Sequence, residues 1–143
     1  MAANLALGGL IIALTVVIHT LGLMAVTHVM TWFVSLFRVH GRRSRVLAMI
    51  SVVIGIFAVL TVEVWLWAAF FYLFAVVPDF ATALYFSTIT FSTVGYGDVV
   101  PAHEWRQLAA LEGIDGFLII GWSTAYLIAA GIRVGPFRSG EHF

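Results

Sequence analysis

Long apolar runs alternate with short polar breaks along this chain, and the breaks set its elements. Residues 1–37 contain no Asp, Glu, Lys or Arg. A helix crossing a membrane needs roughly 20 apolar residues at about 1.5 Å each. The first run is longer than one span and too short for two with a turn. It predicts a single helix over about residues 5–33, tilted or projecting beyond the bilayer. A second apolar run covers residues 46–77, and a third covers about residues 108–134. Between them lies a helix-compatible stretch, residues 80–92. At about 18 Å it is too short to cross, so it is expected to dip in and return. Pro78 pushes Val77 out of the helical region, and Asp79 is a suitable N-cap for the new helix.

The polar breaks give an orientation. Arg38, His40, Arg42, Arg43 and Arg45 cluster with Gly41 in a short loop. Cytoplasmic loops carry an excess of basic residues, so this loop is expected inside and the N-terminus outside. A nucleic-acid or head-group patch is the alternative, but topology alone accounts for the arginines. The second helix then travels outward, and residues 80–92 enter from the exterior. Arg133 and Arg138 close the chain on the cytoplasmic side, in agreement.

Composition places the chain in a membrane. It is 62% hydrophobic and 10% charged, with mean hydropathy +1.07. A soluble domain is nearer 45–50% apolar and about 25% charged. Formal net charge is zero, and cysteine and lysine are both absent. Sulfur redox chemistry and thiolate metal sites are therefore excluded. The N-terminus lacks a basic patch and a small-residue cleavage site, so the first helix is expected to be retained. No phosphate loop, nucleophile elbow or metal-ligand spacing supports an enzyme, and no cofactor is expected. No helix carries the arginine ladder of a voltage sensor, and residues 139–143 read as a short tail.

The chemistry is concentrated in Thr93-Val94-Gly95-Tyr96-Gly97-Asp98. A cation leaving water needs oxygens to replace its hydration shell, and backbone carbonyls supply them without net charge. Aiming consecutive carbonyls at one axis requires alternating right- and left-handed dihedrals. Left-handed dihedrals cost an ordinary residue about 1–2 kcal/mol and cost glycine almost nothing. Gly95 and Gly97 fall at alternate positions. Thr93 adds a hydroxyl ligand, and Tyr96 can pack outward to hold the diameter. The C-terminal dipole of the preceding helix favours a cation at the same place.

This sequence and its setting resemble the pore module of potassium channels. The resemblance covers about residues 46–134: outer helix, re-entrant pore helix, filter and inner helix. It implies a selectivity filter binding K+ at Thr93, Val94, Gly95 and Tyr96, with Gly97 completing the filter. It also implies a filter opening to the exterior, which agrees with the arginine bias. Some family members carry an acidic residue four positions before the filter threonine, bracing the filter aspartate. Here that position is Ile89, so Tyr85 is the expected donor to Asp98 at the outer mouth. The resemblance places Leu118, Gly121 and Ala125 where cavity-lining residues lie. The usual hinge falls near Phe117, so Gly116 or Gly121 would substitute, unless these glycines serve packing.

Other polar residues at membrane depth are functional candidates by default. Glu63 reads either as a proton sensor or as a structural hydrogen-bonding group. Glu112 and Asp115 share a helix face. Either they find partners among Ser87, Thr88, Thr90 and Ser92, or they face the cavity and concentrate cations. His19 and His28 are nine residues apart, on opposite sides of the first helix, and are not a metal pair. Trp65, Trp67 and Tyr72 suit the outer interface or packing on the pore helix, and Pro101 suits the first turn of the third span.

The expected fold is an all-α membrane protein with three transmembrane helices, a re-entrant pore helix and a selectivity-filter loop. Residues 1–37 form an extra N-terminal helix, 38–45 a cytoplasmic Arg-rich loop, 46–134 the pore module and 135–143 a cytoplasmic tail. The filter occurs once, and one segment cannot encircle an ion. Four are needed, so a homotetramer is expected. The expected function is passive, potassium-selective conduction in the plasma (inner) membrane. Partners are K+, membrane lipid and further copies of the chain, without nucleic acid. The alternatives are a weakly selective cation channel, an accessory subunit and a membrane scaffold that does not conduct alone.

Overall fold

The structure is a computed structural model, and it describes residues 2–36 and 42–134. Arg38, His40 and Gly41 of the arginine cluster lie outside the described residues, as do Arg138 and the tail, residues 135–143. The order of elements is α1 (Ala2–Leu36), α2 (Arg42–Leu73), α3 (Phe80–Phe91), a 3₁₀ turn (His103–Trp105) and α4 (Arg106–Val134). Stretches of α1, of α2, and of the 3₁₀ turn with α4 are long and apolar enough to cross a membrane: Asn4–Trp32, Arg45–Leu73 and His103–Arg133. The chain is therefore an all-helical, multi-pass membrane protein.

Side-chain contacts fix how the helices run. Between α1 and α2, His19 meets Glu63, Gly22 faces Val59 and Val26 faces Gly55. As one number rises the other falls, so this pair is antiparallel. Between α1 and α4, Thr15 meets Asp115, His19 meets Ser123 and Thr27 meets Tyr126. Both numbers rise together, so these two are parallel. Trp67 with Asp115, and Met49 near Gly131, make α2 and α4 antiparallel. The beginning of α2 and the end of α4 thus share one end of the bundle. The Asn4 side chain donates to the Glu104 carbonyl at the other end.

The element boundaries differ from the apolar runs in three places. First, α2 starts at Arg42, inside the expected loop, because arginine is a good helix former. Second, it ends at Leu73 and not near Val77. Ala75 takes a left-handed φ of 50°. Val76 N then donates to Phe71 O at 2.9 Å, and Ala75 N to Tyr72 O at 3.0 Å. These two bonds form a Schellman motif, which satisfies the last carbonyls of a helix as the chain turns away. Third, Pro101 does not open α4. Ala102 is extended (φ −53°, ψ 153°), and the 3₁₀ turn intervenes before Arg106. Trp105 N closes that turn on Ala102 O at 2.9 Å.

The larger core lies where α3 is held between α2 and α4. Trp67, Ala68 and Phe71 of α2 bury against Ala83, Phe86 and Phe91 of α3, and against Leu108 and Ile119 of α4. Phe71 meets Phe86 edge-on, with ring centroids 5.2 Å apart. Phe74, just past α2, meets Trp105 at 6.2 Å. The chain between them therefore leaves and regains one level of the bundle. A second cluster joins Leu23 and Val26 of α1, Val52 and Ile56 of α2, and Ala130 of α4.

Candidate ion-conducting site

The site begins with the capping of α3. Asp79 accepts from Thr82 N at 2.9 Å and from Thr82 Oγ1 at 2.7 Å. These bonds hold its carboxyl below the usual aspartate range. Of the three α2 residues Trp65, Trp67 and Tyr72, Trp67 is fully buried, whereas Trp65 and Tyr72 are exposed and meet Phe80 edge-on. At the far end, Ser92 N donates to Thr88 O, Thr93 N to Thr90 O and Gly95 N to Ile89 O, all at 3.0–3.1 Å. These bonds tie the next residues to the helix end, where the partial negative charge of the dipole is concentrated.

Beyond the helix end the backbone alternates. Thr93, Gly95 and Gly97 have φ of 61°, 54° and 77°, and the residues between them are not left-handed. The two glycines adopt this region freely. Thr93 does not: a β-branched residue there is a genuine outlier, at a cost of order 1–3 kcal/mol. Residues 92–98 are all exposed in the single chain, Tyr96 at 73% and Val94 at 53%. Tyr85 Oη donates to Asp98 Oδ2 at 2.7 Å. That bond is the main reason Asp98 stays below the usual carboxylate range. Asp98 Oδ1 accepts from Val99 N at 3.1 Å.

The carboxyl groups of the long helices point inward. Glu63 and Glu112 have no exposed surface, and Asp115 has 2%. Neither Glu112 nor Asp115 lines an open face of this chain. Glu112 Oε1 lies 2.5 Å from Ser87 Oγ, which also reaches the Val64 carbonyl at 2.9 Å. Thr88 and Ser92 instead donate to backbone carbonyls of their own helix. Asp115 Oδ2 accepts from Thr15 Oγ1 at 2.8 Å and from Trp67 Nε1 at 3.0 Å. Glu63 Oε1 lies 3.0 Å from His19 Nδ1. His28, on the other side of α1, bonds back to Met24 O of its own helix. Thr15, Trp67 and Ser123 were not singled out as partners from the sequence. Their signal was depth: His19, Glu63 and Asp115 sit at similar levels on adjacent spans, so each needs a polar neighbour there.

The four inner-helix candidates separate. Gly116 is buried against the Phe91 backbone. Leu118, Gly121 and Ala125 are exposed on another face of α4, with Phe117 beside them. Among the described residues, no group of three or more His, Cys, Asp or Glu is placed to hold a metal.

A family model described as "Ion channel" matches residues 59–133, more than half of the 143-residue chain. The match takes in the second half of α2, all of α3, the residues after it and nearly all of α4, and leaves out α1. Comparisons with curated proteins and with solved structures give no match.

Proposed function

This chain belongs to the ion channel family, and from that premise we propose that it conducts K+ selectively and passively as a homotetramer. The observation that carries this reading is the left-handed backbone at every second position from Thr93 to Gly97, directly after the end of α3. In this reading α3 is a re-entrant pore helix. The carbonyls of Thr93, Val94, Gly95 and Tyr96, with the Thr93 hydroxyl, replace the water of a dehydrated K+. Gly97 completes the turn toward the outer mouth, where Asp98 raises the local cation concentration.

Four copies supply the ring that one copy cannot. The exposure of Val94 and Tyr96 supports this, since large apolar groups left open mark an interaction surface. Leu118, Gly121 and Ala125, on the open face of α4, then line the inner cavity. The family match fits this arrangement and does not by itself specify the ion. The location is the plasma membrane. The basic starts of α2 and ends of α4, Arg42 to Arg45 and Arg133, lie at one end of the bundle. Basic residues favour the cytoplasmic side, which puts the N-terminus outside and the C-terminus inside.

Reconstituted proteoliposomes test the reading, with K+ and Na+ gradients compared and Gly95→Ala as control. Flux that favours K+ and disappears in the variant is the expected result. Equal K+ and Na+ flux leaves a weakly selective cation channel. Flux that survives Gly95→Ala unchanged overturns the role of these residues.

A further inference from the structure

Glu112 is one of the fully buried ionisable groups among the described residues. It sits on α4 with no exposed surface, and its Oε2 has no hydrogen-bond partner. A second carboxyl, Asp115, lies about one helical turn away on the same helix and is itself buried. An ionised carboxylate so placed would be a buried charge without a cationic partner, an arrangement costing far more than a buried neutral acid.

Hydrogen counting points the same way. Ser87 Oγ has one hydrogen and lies near two oxygens, Val64 O at 2.9 Å and Glu112 Oε1 at 2.5 Å. Both bonds form together only when a second hydrogen is supplied, and a carboxylic acid at Glu112 supplies it. Ser87 is fully buried in the middle of α3. A chain of contacts thus runs from α2 through Ser87 to α4. One turn further along α4, Gly116 lets the helix press on Phe91, the last residue of α3. Residues 93–97 are tied to that same helix end by the bonds from Thr93 and Gly95.

We propose that Glu112 is a positioning residue for ion selection: as a neutral acid it clasps Ser87 and fixes the helix from which residues 93–97 hang. This rests on the reading of those residues as the filter. The effect is indirect, since Glu112 touches no permeating ion in this arrangement. It sets the distance between four copies of α3, and so the spacing of the carbonyls they carry.

The test uses the full-length protein with Glu112→Ala, Glu112→Gln and Ser87→Ala. Glutamine keeps the length and a donor, so the Gln variant is expected to keep the wild-type K+/Na+ flux ratio. Each Ala variant is expected to lower it about tenfold, the scale of one lost buried hydrogen bond. Hydrogen exchange at the Gly95 amide is read on the same samples and is expected to speed about tenfold in both Ala variants. If Glu112→Ala does not assemble, Ser87→Ala carries the test by removing the other partner. A wild-type ratio near one defeats the potassium reading alone, and the Gly95 amide still reports the clasp. Unchanged exchange and ratio in Ser87→Ala, or a Gln variant as impaired as the Ala variant, overturns the proposal.

Discussion

Gly116 of α4 lies so close to the Phe91 carbonyl of α3 that a methyl group in its place would overlap the backbone. Small residues permit this approach between membrane helices. The contact joins the inner helix to the end of α3, where the left-handed alternation begins. The sequence offered Gly116 as either a hinge or a packing residue, and the packing geometry is what stands in the structure.

Gly116→Ala is therefore expected to destabilise the protein by about 1–3 kcal/mol, the usual range for overpacking a tight contact. Gly121 has no atom near its missing Cβ. Gly121→Ala should leave stability unchanged or raise it, because alanine is the better helix former. Thermal unfolding of both variants in detergent measures the difference. Equal effects at the two positions would show that the Phe91 contact does not limit α4.

The end of α2 holds a residue poorly suited to its conformation. Ala75 is left-handed at φ 50° in the Schellman motif, a place usually taken by glycine. Ala75→Gly relieves the clash of Cβ with the following carbonyl, worth roughly 1–2 kcal/mol, and loses part of that gain to the freer unfolded chain. The net expectation is a stabilisation of about 0.5–1 kcal/mol. A lower unfolding midpoint in the variant would contradict it.

The bond from Tyr85 to Asp98 gives the outer mouth a pH signature. Asp98 is held below the usual carboxylate range chiefly by this bond. A depressed folded pKa contributes stability above the ordinary aspartate range, and that contribution is lost as pH falls through the depressed value. Wild-type flux should therefore tolerate external acid down to below the ordinary range. Tyr85→Phe should move the acid limb of the flux–pH curve upward, toward an ordinary aspartate. An acid limb at the same pH in both proteins would remove Tyr85 from the control of Asp98.

Local rules explain what the sequence disclosed. The Pro78–Asp79 pair marks the start of α3 because proline restricts its neighbour and aspartate caps a helix. Gly95 and Gly97 mark the left-handed positions because only glycine takes them freely. Thr93 extends the same two-residue period, and nothing in its own chemistry announces a left-handed φ. Its conformation comes from the bonds that close on Thr90 and Ile89. The early end of α2 was hidden for a similar reason. Residues 74–77 are as apolar as those before them, and hydropathy carries no information about the turn at Ala75.

Partners across helices were the least legible part. Asp115 shares its helix face with Glu112, yet the two turn to different neighbours: Asp115 to Thr15 and Trp67, Glu112 to Ser87. That division follows from the register of three helices at once, which no single stretch encodes. The family match leaves out α1, and α1 nonetheless supplies Thr15 to Asp115, His19 to Glu63 and Thr27 to Tyr126.

The strongest of these ties is expected at His19 and Glu63. Their Nδ1 and Oε1 atoms are 3.0 Å apart, and both side chains have no exposed surface. His19 Nε2 has Ser123 Oγ at 3.5 Å, and its ring tilts against Trp122 at 5.1 Å. Neutral hydrogen bonds between membrane helices average about 0.6 kcal/mol and reach about 1.7. Removing one member of a buried ion pair costs about 3–5 kcal/mol, because the other charge is stranded. A double-mutant cycle with His19→Leu and Glu63→Leu separates these cases through the coupling it leaves after the single effects are subtracted. Because α1 meets both α2 and α4 at this level, a coupling of at least about 0.6 kcal/mol is expected, and one above about 2 kcal/mol would mark a charged pair. A value near 0.6 would mean a neutral bond, with α1 held mainly by packing of the kind seen where Gly22 meets Val59. Additive single effects would leave His19 and Glu63 as neighbours without an energetic link, and α1 would then owe its place to Thr15, Thr27 and apolar contact alone.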